Sequence, residues 1–544
     1  MLEPDQPLDR AFPTADQIPE AYRHIPDDSG LTLLTDGVLH KWSGPTEPIR
    51  SAVCVRDGDG QLTQLDLGPA PVTGAAEGRA AVAAAARAWA GGRGDWPRAP
   101  VEERISVVLG FLERALPMRE RVSRALMWEV GKPYADCLTE FDRTVQYIRD
   151  TVETLRELER DNGPAIAASG FAARVRRAPL GVALCMGPYN YAVNEVYTLV
   201  IPALIMGNPV VMKTPRYGVL ANALLTWALA ASFPRGVVNV VTGPGPAVVG
   251  PIMESGLVDV LALVGSARTA KILQSQHPYP YRLHWVLGLG AKNPALVLQD
   301  ADLDLAAAEI VSGALTFNGQ RCTAIKHVLV ARRVAVPLVE RLAANVARLQ
   351  IGMPWEEGVA ITPLPDPHHP SFLEGLVQDA VGRGARVMNP GGGAWQGTLY
   401  RPALVYPVPA DARLAHVEQF GPVVPVTVFD DPEEVLAAMA ASDLGQQASV
   451  FGRDPVALGR LVDHLANLVC RVNLNTQCRR GPDVLPFTGR KGSALGTLSV
   501  RDALRTFSIR SLVAVTAQDG DLLTTLGKTS VFLTPPSSLS SRGY

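Results

Sequence analysis

The chain has 544 residues, 47% apolar and 19% charged, enough to fill several cores and too apolar for a disordered chain. Its 51 Lys and Arg are balanced by 53 Asp and Glu, a net charge of −2 that lacks the basic excess of a nucleic-acid-binding protein. Six widely spaced cysteines without a Cys-x-x-Cys pair, and nine histidines without His-Glu-x-x-His, exclude a disulfide scaffold and the common zinc motifs, and no metal is expected.

Met1-Leu2-Glu3-Pro4-Asp5 lacks the apolar run of a secretory leader. The most apolar stretch, 196–212, is interrupted by Pro202, Gly207, Asn208 and Pro209, which favours a buried helix and strand over a membrane span. The expectation is a cytoplasmic protein with reduced thiols. Residues 1–65 read as an irregular lead-in with strands at 31–34 and 38–42 flanking the turn pair Asp36-Gly37. Helical spacing follows over 75–90, 101–116, 119–129 and 136–159, with Pro100 placed to open the second of these.

From about 178 short strands alternate with helices. Strands are expected at 182–186, 210–213, 237–241 and 258–264, and helices at 194–206, 219–233, 247–254 and 267–274. This rhythm implies a parallel sheet with crossovers, whose ligands bind at the carboxyl ends of the strands. Pro188, Lys213, Gly243 and Gly265 fall at such ends and mark a nucleotide site. A second α/β unit follows, with strands at 295–298, 328–330 and 424–429 and helices at 305–315, 334–349 and 432–441. Stretches 354–370, 389–396 and 486–496 read as loops, 508–515 as a terminal strand, and 517–544 as a tail expected to be disordered.

Cys322 stands beside Arg321 in a polar, glycine-containing stretch, the setting in which a thiol becomes a nucleophile, although an isolated cysteine is more often an inert core residue. Six motifs in order weigh against the inert reading. They are Gly187-Pro188-Tyr189-Asn190-Tyr191, Met212-Lys213-Thr214-Pro215, Leu263-Val264-Gly265-Ser266, Gln320-Arg321-Cys322, Glu418-Gln419-Phe420-Gly421-Pro422 and Pro486-Phe487-Thr488-Gly489-Arg490-Lys491. Together they resemble the aldehyde dehydrogenase superfamily over roughly residues 75–515. Asn190-Tyr191-Ala192-Val193-Asn194 and Arg480-Gly481-Pro482-Asp483 are similar to its branch of non-phosphorylating, NADP-dependent glyceraldehyde-3-phosphate dehydrogenases.

The resemblance implies an α/β architecture in three parts. These are a Rossmann-like cofactor-binding domain from 1–157 and 178–290, a catalytic domain at 291–495, and an oligomerisation arm of 158–177 and 498–516 that builds a homodimer or homotetramer. It implies Cys322 as nucleophile and Asn190 as oxyanion donor. Pro188, Lys213, Thr214, Gly243, Gly265 and Ser266 would hold the dinucleotide, with Glu418 and Phe420 at the nicotinamide ribose and ring. Arg143, Tyr191, Arg321 and Arg480 would hold the phosphate of a small anionic aldehyde, and guanidinium forks suit that anion. Arg216, three residues after Lys213, stands where NAD-preferring relatives carry a glutamate, so NADP is expected, with NAD the alternative.

One departure is large. The family's water-activating glutamate lies 34 residues before the nucleophile, and here Gly288 occupies that place in a register set by Leu289, Gly290, Lys292 and Asn293. Three activities are compatible with that: aldehyde oxidation with another base or bulk water, acyl exchange with CoA, a thiol or phosphate, and a catalytically weak binding or structural role. The presence of Cys322, Asn190, Glu418 and the arginines favours the first two.

Overall fold

The computed structural model describes residues 6–24, 29–161 and 166–534. The leader reading rests on residues 1–5, outside that range. Two mixed sheets and a small three-stranded sheet organise the chain. In the first sheet Val238–Val241, Val210–Lys213, Ala183–Met186, Val260–Val264 and His284–Gly288 lie side by side in that order, all parallel. The first four are almost wholly buried, which is why they read as continuous apolar runs rather than alternating ones. Antiparallel strands finish both edges. Thr32–Thr35 and Val38–Lys41 turn through Asp36 and Gly37, both at positive φ, and Ala494–Leu495 pairs with His284–Gly288.

After Ala183–Met186 the chain crosses to Val210–Lys213 on one side and later to Val260–Val264 on the other. The carboxyl ends at this switch therefore open a crevice. The helices between these strands, Asn194–Ile205, Val219–Ser232, Gly245–Glu254 and Ala267–Gln276, match the sequence pattern within a few residues. Buried Glu129 accepts hydrogen bonds from the N–H groups of Gly218, Val219, Leu220 and Ala221, so a carboxylate from the helix Arg119–Val130 caps Val219–Ser232.

The second sheet runs Arg386–Val387, Ala403–Tyr406, Val423–Phe429, His327–Ala331, Pro294–Val297, Gln447–Phe451 and Arg471–Leu474. Only its first strand is antiparallel. Several elements differ from expectation. Thr46–Arg56 and Leu62–Pro71 form a long antiparallel pair whose alternation is hidden by two register shifts, around Arg50, and by Pro48 and Pro69. His369–Gly382, whose first two residues fall in the expected loop 354–370, is helical despite Pro370, which sits in the first turn where no N–H is needed.

Strand Ser508–Thr516 pairs along Phe171–Pro179, which in turn pairs with Ile166–Ala168. Beyond it the expected disorder does not hold over the described residues. Ala517–Asp519 and Gly520–Leu526 are helical, and Arg176 donates to the carbonyls of Phe532 and Thr534 (2.9 and 2.7 Å) while ion-pairing with Glu159. These contacts were not visible in a Ser- and Pro-rich composition, because the partners are backbone carbonyls that any sequence supplies. Residues 535–544 lie outside the described range. Among the described residues no helix is long and apolar enough to cross a membrane.

Candidate active site

Cys322 lies between the helix Leu303–Leu315 and the strand His327–Ala331. The chain reaches it through Phe317, Asn318 and Gly319, three consecutive residues at φ of 50°, 55° and 67°. Left-handed backbone at two non-glycine residues is strained and persists only where the surroundings hold it. Asn318 supplies part of the hold, accepting from the Thr362 N–H (2.9 Å) and donating to Thr362 Oγ1 (3.2 Å). Gly319 is required, since a Cβ there would fall 2.6 Å from the carbonyl oxygens of both Ala314 and Gly421. The Cys322 carbonyl accepts from Asn293 Nδ2 (2.8 Å) and Lys326 Nζ (2.9 Å), while its N–H has no acceptor among the described residues. The thiol is half-buried, and burial together with the Glu195 carboxylate raises its pKa, against the opposing pull of Lys326 and Arg480.

Asn190 is buried in the loop between the strand Ala183–Met186 and the helix Asn194–Ile205. One amide N–H donates to the Gln320 carbonyl at 2.8 Å, two residues before Cys322, which leaves its second N–H available. Nothing local in the chain announces the pair that clamps this loop. Lys132 and Glu140 form a buried ion pair. Glu140 Oε1 accepts from the N–H groups of Val193 and Asn194, and the Lys132 ammonium lies 3.8 and 4.4 Å from the ring centroids of Tyr191 and Phe317. One cation thus joins the Asn190 loop to the loop that leads to Cys322. Burial opposes its charge, but Glu140 outweighs that and the Lys132 pKa rises.

At the carboxyl end of the first sheet a cleft of about 320 Å³ is lined by residues that include Pro188, Lys213, Thr214, Arg216, Tyr217 and Asp366. The Lys213 ammonium is buried, has no hydrogen-bond partner among the described residues, and is depressed to about 8 by burial and by Arg216. A buried ammonium without an acceptor fits a ribose or phosphate oxygen. Exposed Arg216 supplies a second cation at the rim, 5.4 Å from the Tyr217 ring. Thr214 Oγ1 bonds Thr242 Oγ1, whose residue precedes Gly243; that glycine, at φ 113°, packs on Thr73. Ser266 caps Ala267–Gln276 by accepting from the Thr269 N–H (3.1 Å), and the Gly265 N–H donates to Gly288 O (2.9 Å). The groups present therefore fit an anionic dinucleotide.

Glu418 and Phe420 lie on the loop before the strand Val423–Phe429. Glu418 Oε1 accepts from the Ala291 N–H (3.2 Å) and from Lys326. Phe420, at φ 45°, packs edge-on to Tyr189 with centroids 6.0 Å apart. Lys292 anchors the loop through Leu414 O, Val417 O and Gln419 Oε1, each at 2.8 Å. Its burial, reinforced by Lys326, depresses its pKa to about 7. Gly288 ends its strand opposite Val264, and a Cβ there would meet Val264 Cγ2 at 3.3 Å and Leu498 Cδ1 at 3.7 Å. Neither the backbone nor the packing demands a glycine at that place.

The four anion-binding candidates are not equally free. Arg143 and Arg480 are brought together, but on a shared carboxylate. Arg143 forks onto Asp483 (2.9 and 2.7 Å), and Arg480 reaches Asp483 (3.2 Å) and Glu195. Burial works against Arg480, yet Glu195 and Asp483 overcome it and raise its pKa. Arg321 turns to the end of Leu303–Leu315, donating to Gly313 O at 2.7 Å. Tyr191 packs edge-on to Phe317 under Lys132. Glu195 and Asp483 were missed as partners because they lie far from the arginines in sequence or read as loop residues. Lys326 had a readable signal, a lone charge in the apolar run Ala324-Ile325-Lys326-His327-Val328.

Comparison with known proteins agrees with this geometry. Residues 61–513 match the aldehyde dehydrogenase family model. The NADP-dependent glyceraldehyde-3-phosphate dehydrogenase of Streptococcus equinus is 36% identical over 407 residues, 73% of this chain and 82% of the relative. The glutarate-semialdehyde dehydrogenase of Pseudomonas putida is 30% identical over 79% of this chain and 88% of its own. The crystal structure of the NADP-dependent glyceraldehyde-3-phosphate dehydrogenase of Bacillus halodurans, complexed with NADP, superimposes with a TM-score of 0.81 at 32% identity, covering 89% of this chain and 99% of that one. The Cys322 loop, an amide anchored to it and a cationic cleft agree with the family model and the relatives, which place this chain in the aldehyde dehydrogenase family.

Proposed function

We propose that the protein oxidises a small anionic aldehyde, of the glyceraldehyde 3-phosphate type, with NADP as oxidant and Cys322 as nucleophile. The observation that carries this reading is the convergence of Cys322, its unpaired N–H and the Asn190 amide on one loop junction. The Cys322 sulfur bonds to the aldehyde carbon, and the oxygen gains charge that the Asn190 amide and the Cys322 N–H receive. The dinucleotide, when bound, supplies the two-electron oxidant. The acyl group is then left on Cys322 as a thioester. Lys213, Thr214, Pro188, Gly243, Gly265 and Ser266 hold the dinucleotide, and Glu418 and Phe420 position its nicotinamide end. Arg143 and Arg480, through N–H groups that Asp483 and Glu195 leave free, hold the substrate anion together with the remaining N–H groups of Arg321 and the Tyr191 hydroxyl.

The parts divide into a cofactor-binding unit of 1–157 and 178–290, a catalytic unit of 291–495 and an arm of 158–177 and 498–516. Exposed Ile509 and Leu512 on the arm strand support pairing with a second copy, as a homodimer or homotetramer. Arg216→Glu is expected to weaken NADP binding at least about tenfold and to spare NAD, because it replaces attraction to the 2′-phosphate by repulsion. In the unaltered protein NADP affinity should fall as pH rises through about 8, where Lys213 loses its charge. Fluorescence titration of both dinucleotides across pH checks the two effects.

Rapid mixing with NADP and glyceraldehyde 3-phosphate, counting NADPH per site, tests the activity. NADPH that depends on Cys322 is the expected result. None from this or other small anionic aldehydes would overturn the reading. Gly288 favours a second reading, in which CoA, a thiol or phosphate takes the acyl group. One equivalent of NADPH followed by a stall that CoA or phosphate relieves would establish it.

A further inference from the structure

A thioester on Cys322 must be discharged, and a positioned base speeds attack by water by about 10²–10⁴-fold. Two carboxylates act on the Cys322 thiol, those of Glu195 and Glu418. Glu195 is buried and ion-paired with Arg480. Glu418 is different. Its side chain is 23% exposed, and only Oε1 is engaged, by Lys326 and the Ala291 N–H. Oε2 has no hydrogen-bond partner among the described residues. That oxygen overhangs Gly290 so closely that a Cβ there would come within 2.7 Å of it. The Lys326 ammonium that holds Oε1 also donates to the Cys322 carbonyl (2.9 Å), so a single cation spans the carboxylate and the nucleophile's backbone. The carboxylate thus sits over the segment that starts at Gly288, where the chain itself offers no base.

We propose that Glu418 is the general base that discharges the Cys322 acyl group to water, an inference that rests on the thioester reading above. Glu418 Oε2 takes a proton from water as the water oxygen bonds to the thioester carbon. The carbon–sulfur bond then breaks, its electron pair returning to Cys322 Sγ. The product leaves as a carboxylic acid that ionises, and the proton on Glu418 passes to solvent. No oxidant takes part in these steps. Lys326 fixes the carboxylate from the other side and leaves Oε2 facing the water.

Hydrolysis of p-nitrophenyl acetate without any dinucleotide tests this apart from cofactor binding. The burst of nitrophenolate reports acylation of Cys322, and the steady state reports discharge. Glu418→Gln is expected to keep the burst and to slow the steady state by about 10²–10⁴-fold. Gly288→Glu, added to that variant, is expected to restore discharge. An unchanged steady state in Glu418→Gln, or a single equivalent released by the unaltered protein followed by a stall, would overturn the proposal. If Glu418→Gln loses its burst and hence its folded sites, Glu418→Asp is read in the same assay. It keeps the charge opposite Lys326; slowed discharge supports the proposal and unchanged discharge overturns it. Ester turnover without NADPH from any aldehyde would sink the oxidation reading and leave the base in place. A burst of NADPH without ester turnover would do the reverse.

Discussion

Cys322→Ala is expected to reduce aldehyde-dependent NADPH formation by about 10⁴-fold or more, since the neighbouring hydroxyls, those of Thr323 and Tyr189, are far weaker nucleophiles than a thiol. The same site predicts a pH dependence. Burial and Glu195 raise the thiol above its ordinary value, so at pH 7 the thiolate is a minor species. Its fraction, and with it the rate of alkylation by iodoacetamide, should climb about tenfold per pH unit from 7 towards 9. Lys326 and Arg480 oppose the rise, so Lys326→Met should push the climb to higher pH. A plateau below pH 7 in the unaltered protein would contradict the electrostatics described for the loop. Mass spectrometry of the alkylated protein identifies the residue that reacts.

Arg480→Ala is the second large effect. Arg480 is buried between Glu195 and Asp483, and removing it leaves Glu195 buried without that partner while Asp483 keeps Arg143. Breaking a buried pair from one side costs about 3–5 kcal/mol, so denaturant unfolding should show a loss of that order. Glu195→Gln combined with Arg480→Ala should recover part of it. The functional consequence is separable. If Arg480 also holds the substrate anion, the Michaelis constant for a phosphorylated aldehyde rises far more than that for an uncharged one. Equal effects would confine Arg480 to a structural role. Arg143 shares Asp483, so the two positions should couple rather than add.

The first sheet was readable because its strands are short apolar runs bounded by Gly, Pro and Asn. Val210–Lys213 and the turn at Asp36-Gly37 fall where pattern and turn chemistry put them. The pair Thr46–Arg56 and Leu62–Pro71 was not, because its register shifts break the two-residue period. At the site, each motif residue could be placed along the chain, yet its partner could not. Nothing local to Arg480 announces Glu195, and nothing near Lys132 announces that its charge will lie over Tyr191 and Phe317. Long-range ion pairs between loops carry no periodicity. The strain at Phe317 was equally silent, since an aromatic residue does not favour the left-handed conformation held there, although Asn318 and Gly319 after it are types that adopt it.

Gly288 has a consequence for heredity. Its backbone is ordinary, and a Cβ there would meet the aliphatic side chains of Val264 and Leu498. Two of the four glycine codons differ from a glutamate codon by a single base. From either of those codons a glutamate is one mutational step away, and its Cβ would touch those two side chains. If slow discharge limited growth under some condition, selection on a library of this gene should recover that change early and repeatedly. Its failure to appear would mean that the glycine confers an advantage of its own at this position.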